Sequence, residues 1–396
     1  MARIRVLGWL CPVTLLGLKS LECRYSSTHY SIVSFKERNS LTMSTFAIGV
    51  DLGGTNLRIA VVDEHGKIIE KITTGTEVSR GRDTVIFDMC TAIQELSTKF
   101  RNSAGHLVGI GVGVPGIIEM STGMLRQSPN LPGWEDYPVR EEIEQRLGTR
   151  VVLENDANSA ALGEKWLGAA ANGDDMCMIT LGTGVGGGLV LQGRVWHGMT
   201  GMAGEFGHIT VDPKGPPCGC GSQGCLEQYA SATAVKRMAI EAVANGSAPE
   251  LGRAMNETPE FSSKVVYQMA IQGDEPARNI FHTVGKALGI VLADLVNIFN
   301  IPMYVIGGGV SSAWEAFAPA MLEETRKNSF VYRATAPTHN VAGVAGNKIH
   351  DDSLPSRRTT IITQALLGSD AGLIGAARLP MIGVSDFLPE QQMKRA

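Results

Sequence analysis

Glycine is unevenly distributed in this chain, and its clustering constrains the fold more than any other feature of the sequence. Many of the 47 glycines fall into five clusters, at residues 49–54, 109–116, 182–188, 215–224 and 307–309. Clustered glycine marks backbone that turns sharply or comes very close to a ligand. Because most clusters adjoin short apolar runs of strand length, we expect buried strands whose ends are shaped to meet ligands.

Strand and helix patterns follow one another in an order typical of α/β proteins. Strands are predicted at 46–51, 58–63, 67–72, 107–114, 151–153, 176–181 and 303–306. Helices are predicted at 83–100, 137–147, 157–167 and 370–378, with mostly helical chain between 232 and 300. A second glycine-rich turn follows the strand at 176–181, which suggests two related α/β halves. Such halves would leave a cleft between them, the usual place for a ligand.

Two segments stand apart from this pattern. Arg3 and Arg5 precede an apolar stretch at 6–18, in the outline of a signal peptide, although no small-x-small cleavage pattern follows. The alternative is that translation begins at Met43, immediately before the first predicted strand. With either interpretation, residues 1–42 lie outside the predicted fold. The polar segment 338–358 is expected to form a loop or a strand-poor insertion.

Composition argues against several classes of protein. The formal net charge is -4 and no Lys/Arg-rich run occurs, so we expect no non-specific nucleic-acid binding. No stretch of about 18 residues is both uncharged and apolar, which argues against a membrane span. The seven cysteines do not suggest a disulfide framework in a chain of 396 residues, so a reducing cytoplasm is expected.

The motif Asp51-Leu-Gly-Gly-Thr-Asn56, between the first two predicted strands, is typical of a phosphate-binding turn. Its backbone amides could face an anion, and Asp51 could hold a metal ion directly or through water. The residues that would form this turn are Gly53, Gly54, Thr55 and Asn56. The alternative is a plain hairpin turn, but such turns favour Asn-Gly or Asp-Gly, so we favour the phosphate turn.

Two later glycine turns extend this interpretation. Gly182, Thr183 and Gly184 begin a pattern similar to the dinucleotide fingerprint, but a strand rather than a helix is predicted to follow. A second phosphate turn is therefore favoured. The run 307–309, at another strand end, could let a flat adenine approach the backbone or could be only a tight turn.

The motif Glu154-Asn155-Asp156 ends another predicted strand. Asp156 could accept a hydroxyl proton while Asn155 orients a second hydroxyl. Phosphoryl transfer needs little more from a protein than positioning, a base and charge neutralisation. The alternative is that Asn155 and Asp156 are only helix caps, since both residue types favour that position. The motif alone does not distinguish these two interpretations.

A Cys3His set lies within an 18-residue window and consists of His208, Cys218, Cys220 and Cys225. Four such ligands in a loop rich in Pro and Gly predict a closed, structural zinc site. Disulfides and inert buried thiols are the alternatives, but cysteines one residue apart pair badly in a disulfide. Glu205 and Glu227 flank the set, so zinc would hold two carboxylates in place for hydroxyl recognition.

Taken together, these motifs resemble those of the ROK family of repressors, open reading frames and kinases, and the bacterial glucokinases within it most. The resemblance runs from about residue 46 to residue 378. It is carried, in the family's order, by residues 51–56, 115–116, 154–156, 181–187, 204–208, 218–227 and 307–309. It implies an actin-like, ribonuclease-H-like fold of two domains that close around a sugar and ATP. The small domain would comprise 43–160 with 379–396, and the large domain, with the zinc loop, 161–378.

The resemblance also implies roles for individual residues. Asp156 is similar to the catalytic base of the kinases. The implied sugar contacts are Gly116, Asn130, Asn155, Asp156, Glu205, His208 and Glu227. The residues implied for ATP and Mg²⁺ are Asp51, Gly53, Gly54, Thr55, Asn56, Gly182, Thr183 and Gly184, with Gly308 and Gly309 on the adenosine side. His208 would serve zinc and sugar through its two ring nitrogens.

What the resemblance implies is an ATP- and Mg²⁺-dependent hexose kinase, a cytoplasmic homodimer that makes glucose 6-phosphate for glycolysis. N-acetylmannosamine, mannose, fructose or allose as substrate, and polyphosphate as donor, stay open, because one pocket contact changes hexose choice by only ~1–3 kcal/mol. The family also contains sugar-sensing repressors with an N-terminal helix-turn-helix module. Residues 1–42 are too short for that module and lack its pattern, so no nucleic-acid partner is expected.

Overall fold

In this computed structural model the described residues are 45–102, 105–337 and 359–382, with two short antiparallel strands, β1 (Arg5–Val6) and β2 (Trp9–Leu10). Residues Met1–Thr42 and Met43–Ala396 form separate units. Apart from β1 and β2, the predicted signal peptide lies outside the described residues, as do the alternative start at Met43, the loop at 338–358 and residues 383–396.

The N-terminal sheet has five strands in the order β5-β4-β3-β6-β9. They are β3 (Thr45–Leu52), β4 (Asn56–Asp63), β5 (Ile68–Gly75), β6 (His106–Val114) and β9 (Val152–Asn155). Strands β3, β6 and β9 are parallel, whereas β3, β4 and β5 form antiparallel hairpins. The carboxyl ends of β3, β6 and β9 therefore share one edge of the sheet. A small hairpin, β7 (Ile117–Glu119) and β8 (Met124–Gln127), follows β6.

The C-terminal sheet repeats this arrangement, with the order β12-β11-β10-β13-β14. Its strands are β10 (Met176–Leu181), β11 (Val185–Leu191), β12 (Arg194–Val195), β13 (Met303–Gly307) and β14 (Ile361–Gln364). Strands β10, β13 and β14 are parallel, and β10–β11–β12 is an antiparallel meander. The matching order in the two sheets confirms the prediction of two related α/β halves.

Eleven helices occur in the described ranges. They are α1 (Arg82–Asn102), α2 (Val139–Leu147), α3 (Asp156–Leu167), α4 (Glu227–Ala230), α5 (Ala232–Ala244), α6 (Pro249–Glu257), α7 (Ser263–Ile271), α8 (Glu275–Phe299), α9 (Trp314–Asn328), α10 (Phe330–Thr335) and α11 (Ala371–Arg378). Helix α3 packs on β10 and β11, and α11 packs on β3, β4 and β6. The two helices also pack on each other, so they join the two sheets. Glycine permits this contact, because a Cβ at Gly163 would overlap the Ala371 carbonyl and one at Gly375 would overlap the Ser159 carbonyl.

Helix α8 forms much of the core beneath the C-terminal sheet. Asp274 caps its first turn by accepting a hydrogen bond from the Ala277 backbone N at 2.8 Å, and Asn300, at φ 47°, ends it. Within the described part of the chain it is the one helix long and apolar enough to cross a membrane. Its most apolar 18-residue stretch is 67% buried inside the protein, which core packing explains.

Most element boundaries lie within a few residues of the predicted ones. Helix α2 begins two residues later than predicted, because Tyr137 exchanges backbone hydrogen bonds with Leu125 and stays extended. The hairpin β7–β8 and the strands β12 and β14 were not predicted. Each has two to four residues, too short for a periodic pattern to indicate.

Candidate functional site

The first glycine turn joins β3 to β4 at the carboxyl edge of the N-terminal sheet. Leu52 pairs with Leu57, and the Gly53 backbone N donates to the Asn56 carbonyl at 2.9 Å. Thr76 fixes the turn from outside, because its hydroxyl donates to the Gly53 carbonyl at 2.5 Å. The turn therefore closes a hairpin, with Thr55 and Asn56 exposed. Its role in binding phosphate stays a prediction.

The second glycine turn, residues 182–184, occupies the matching position between β10 and β11. A strand follows it, as predicted, so the helix that a dinucleotide fingerprint requires is missing here. The segment 227–233 holds this turn with three hydrogen bonds. Glu227 Oε2 accepts from the Val185 backbone N at 2.9 Å. The Ala232 backbone N donates to the Gly182 carbonyl at 2.8 Å, and the Thr233 hydroxyl donates to the Thr183 carbonyl at 2.8 Å.

Gly308 lies against Leu181, directly before the second turn, and its place on the adenosine side stays a prediction. Its φ is +83°, and a Cβ there would lie 2.5 Å from the Leu181 carbonyl oxygen. A side chain is therefore excluded at this position by both conformation and space. Gly309 follows without either constraint, since nothing lies within 4 Å of a Cβ there.

Asn155 and Asp156 join β9 to α3, and the structure separates their roles. The Asn155 Oδ1 caps α3 by accepting from the backbone N atoms of Ala157 at 2.9 Å and Asn158 at 3.2 Å. Its Nδ2 donates to the Gly116 carbonyl at 3.1 Å. Asn155 is thus the helix cap that the alternative interpretation proposed, and Asp156 is the first residue of the helix.

Asp156 is half-buried, and the charges of two acidic residues act on it. Burial raises its pKa from 3.8 to about 6, and the charges of Asp51 and Glu205 act in the same direction. A hydrogen bond from the Ala157 backbone N, at 2.9 Å, opposes this rise in pKa. Because the charges of Asp51 and Glu205 act on Asp156, these three predicted site residues lie in one electrostatic cluster.

Asp51 is a half-buried carboxylate that already faces a cation. Its Oδ2 lies 3.4 Å from the Arg58 Nη1, and Arg58 also donates to the Ser369 carbonyl at 2.9 Å. Burial raises the pKa of Asp51, Arg58 opposes this, and the charge of Asp370 adds to it. The charges of Asp370 and Asp156 thus act in the neighbourhood of Asp51, and the role of Asp51 in holding a divalent cation stays a prediction. Sequence reasoning missed Arg58, although a hairpin that pairs Leu52 with Leu57 necessarily pairs Asp51 with Arg58.

Further contacts show that the other predicted sugar-site residues lie next to one another or next to the glycine turns. A Cβ at Gly54 would lie 2.5 Å from the Asn130 carbonyl oxygen, so Asn130 adjoins the first turn. A Cβ at Gly186 would lie 3.0 Å from the Ala157 Cβ, so the start of α3 adjoins the first residues of β11, directly after the second turn. Burial raises the pKa of Glu205, His208 opposes this, and the charge of Glu227 acts in the same direction as burial. Each predicted sugar residue thus neighbours another predicted site residue.

The Cys3His set forms a compact group of donor atoms. The Nδ1 of His208 lies 3.7 Å from the Sγ of Cys218, and the Sγ atoms of Cys220 and Cys225 are 3.7 Å apart. All four donor atoms lie within 4.8 Å of one another. Thiolates about 2.3 Å from a tetrahedral zinc ion would lie about 3.8 Å apart, so the set fits zinc. The described cysteines are free thiols, and the His208 Nε2 faces Glu205 Oε2 at 3.8 Å.

One buried pair beside this region was not predicted from the sequence. Glu154 Oε2 lies 2.7 Å from the Nε2 of His197. The two residues are 43 positions apart, and no local pattern links them. The only signal in the sequence is the position of Glu154 next to Asn155 and Asp156.

Comparison with known proteins gives a consistent result. The model of the ROK family matches residues 47–381. A glucokinase from Halalkalibacterium halodurans is 37% identical over 333 residues, which cover 84% of this chain and 94% of the relative. A putative xylose repressor from Caldicellulosiruptor sp. is 32% identical over 285 residues, which cover 72% of this chain and 71% of the relative.

A solved structure is similar over almost the same region. It is the crystal structure of a ROK family glucokinase from Streptomyces griseus in complex with glucose and AMPPNP. The TM-score is 0.68 and the sequence identity 33%, and the match covers 85% of this chain and 100% of that chain. The fold predicted from the sequence is thereby confirmed.

Proposed function

Because this chain belongs to the ROK family, we propose that it is a hexose kinase that transfers the γ-phosphoryl group of ATP to a sugar hydroxyl. The observation that carries the proposal is the position of Asp156. This carboxylate begins α3 between two glycine turns, with an elevated pKa and the acidic residues Asp51 and Glu205 nearby. The relatives named glucokinase and the complex with glucose and AMPPNP support the sugar and the nucleotide.

In the proposed reaction the sugar hydroxyl oxygen attacks the γ-phosphorus and ADP leaves. The hydroxyl proton passes to the Asp156 carboxylate. With a pKa of about 6, this group is mostly ionised at neutral pH and is also a stronger base than an ordinary aspartate, which suits general-base catalysis. Asn155 would contribute mainly through its Nδ2, because its Oδ1 already accepts two backbone hydrogen bonds.

The two glycine turns would bind the phosphates, and Asp51 would hold Mg²⁺. When bound, Mg²⁺ supplies charge neutralisation at the phosphate oxygens. The backbone amides of 53–56 and 182–184 would face the phosphates, and Gly308 and Gly309 would lie along the adenosine. Arg58 keeps the Asp51 carboxylate in place through its 3.4 Å contact.

Zinc would be held by His208, Cys218, Cys220 and Cys225, and would have a structural role. Four protein donors leave no open coordination position for a substrate. When bound, zinc supplies a rigid scaffold for the loop. Glu205 and Glu227, on either side of the set, and His208 within it would then face the sugar. Glu227 would connect the sugar to the second turn, because its Oε2 already accepts from the Val185 backbone N.

We further propose D-glucose as the preferred hexose, ATP as the donor, and a homodimer in the cytoplasm that supplies glycolysis. The test is formation of sugar phosphate from glucose, mannose, fructose, allose and N-acetylmannosamine, with ATP and polyphosphate compared as donors. Asp156→Asn should retain sugar binding but lose at least ~100-fold in turnover, whereas Asp294→Asn, exposed on α8, should retain full turnover. If none of these sugars is phosphorylated with either donor, the proposal is refuted.

A sugar-responsive repressor is the second candidate, because one relative at 32% identity is named a putative xylose repressor. A repressor of this kind would bind a DNA fragment with nanomolar affinity and would change that affinity when sugar is added. A gel-shift assay with genomic fragments, with and without glucose, distinguishes the two functions. Sugar-dependent DNA binding without phosphorylation would favour the repressor.

A further inference from the structure

Glu154 is a fully buried carboxylate that the proposed phosphoryl transfer does not use. Its side chain is 0% exposed. Oε1 accepts hydrogen bonds from the Asn155 backbone N at 2.9 Å and from the Asn158 Nδ2 at 3.0 Å, and Oε2 lies 2.7 Å from the His197 Nε2. A buried carboxylate is costly unless such partners satisfy it. Removing one of these partners would therefore affect the others.

His197 belongs to a segment that ends at Glu205. This segment, residues 196–205, follows β12. The His197 carbonyl accepts from the Ala203 backbone N at 3.2 Å, which closes the segment on itself two residues before Glu205. The His197 side chain is 13% exposed. Burial lowers its pKa, but the hydrogen bond and charge of Glu154 outweigh burial, so the pKa is raised.

Glu154 and His197 thus join two separate parts of the proposed sugar site. On one side, Glu154 fixes the Asn155 backbone amide, directly before Asp156. On the other side, His197 anchors the segment that carries Glu205. Gly201 lies between His197 and Glu205, and a Cβ added there would lie 2.6 Å from the carbonyl oxygen of Ile118 in β7. The segment therefore also borders the N-terminal half. Among the described side-chain contacts of residues 196–205, the contact of His197 with Glu154 is the one whose partner is fully buried.

We propose that the Glu154–His197 pair is a positioning device that fixes Glu205 relative to Asp156, and so sets the affinity for the hexose. This inference rests on the proposed function. The pair does not touch the two glycine turns, which are held instead by Thr76 and by the segment 227–233. Loss of the pair therefore weakens hexose binding and leaves ATP binding nearly unchanged.

His197→Ala tests this inference. The KM for the hexose and its dissociation constant, measured by calorimetry, should rise roughly 10- to 100-fold, the scale of a lost hydrogen bond to a buried charge. The KM for ATP should stay within about twofold of its original value. His197→Gln, whose amide can donate from near the former Nε2 position, should restore hexose binding to within about threefold. His65→Ala, at an exposed turn, is the matched control and should leave all these constants unchanged.

The outcomes separate this inference from the proposed function. If the unaltered protein neither binds nor phosphorylates any hexose, both are refuted. Suppose instead that the unaltered protein is an active kinase and that His197→Ala is folded. The inference alone is then refuted if the KM and dissociation constant for the hexose are unchanged, or if the KM values for hexose and for ATP rise equally. Should His197→Ala fail to fold, Glu154→Gln and His197→Asn, whose shorter side chain cannot reach the Glu154 Oε2, take its place. A folded variant of these two must then show a selective rise in the hexose KM, and absence of that rise in both overturns the inference.

Discussion

The carboxylate proposed as the base should destabilise the folded protein, and Asp156→Asn should reveal this. The pKa of Asp156 rises from 3.8 to about 6 on folding, and each pKa unit corresponds to about 1.4 kcal/mol. Removing the charge while keeping the shape therefore relieves up to about 3 kcal/mol at pH 8. The amide oxygen of Asn can still accept the hydrogen bond from the Ala157 backbone N.

The dependence on pH distinguishes this cause from others. Between the unfolded and folded pKa values the folded state binds more protons, so Asp156 makes stability fall as pH rises from about 4 to about 6. Above that range the full destabilisation is present. At pH 5 the advantage of Asp156→Asn should be roughly half its value at pH 8.

Urea denaturation without ligands, followed by tryptophan fluorescence at pH 5 and pH 8, measures the effect. Ligands are omitted because they would stabilise the two proteins unequally. Asp294→Asn, exposed on α8, is the control and should change the free energy of unfolding by less than about 0.5 kcal/mol. If Asp156→Asn is neutral or destabilising at pH 8, the carboxylate is not desolvated, and the reasoning about its basicity is wrong.

Three further predictions concern the reaction, the metal and the nucleotide side. The kcat/KM for the hexose should fall tenfold per pH unit below about pH 6, because only ionised Asp156 accepts the proton. A kcat/KM that stays constant between pH 5 and pH 8 in the sugar-phosphate assay would contradict this. Cys218→Ser should abolish the bound zinc measured by elemental analysis and lower the melting temperature by several degrees, whereas Cys90→Ala should keep one zinc ion per chain. Gly308→Ala should lower stability by about 2 kcal/mol or more, because φ is +83° and the Cβ meets the Leu181 carbonyl. Gly309→Ala, with open space at its Cβ, should change stability by less than about 0.5 kcal/mol, and equal losses in the two variants would refute the argument.

Several features of the site follow from the sequence because their cause is local. Gly308 can be recognised because a strand end must turn there, and the structure gives it a left-handed conformation. The Cys3His donors are close because their spacing within one loop brings them together. The strand after residue 184 could be predicted from its apolar run. Because a dinucleotide fingerprint requires a helix at that place, the predicted strand argued against a dinucleotide-binding turn. In each case the local conformation or spacing is set by residues near one another in the chain.

The sequence by itself therefore determined the longer strands, the glycine turns, the family and the set of candidate residues. Only the tertiary structure decided that Asn155 is the helix cap while Asp156 is a half-buried carboxylate with a raised pKa, that Arg58 contacts Asp51, and that His197 pairs with Glu154. The physical reason is that burial and charge at Asp156 are set by residues more than 40 positions away, on other elements. A local pattern carries the residue types, but desolvation and ion pairing depend on which surfaces the fold brings together.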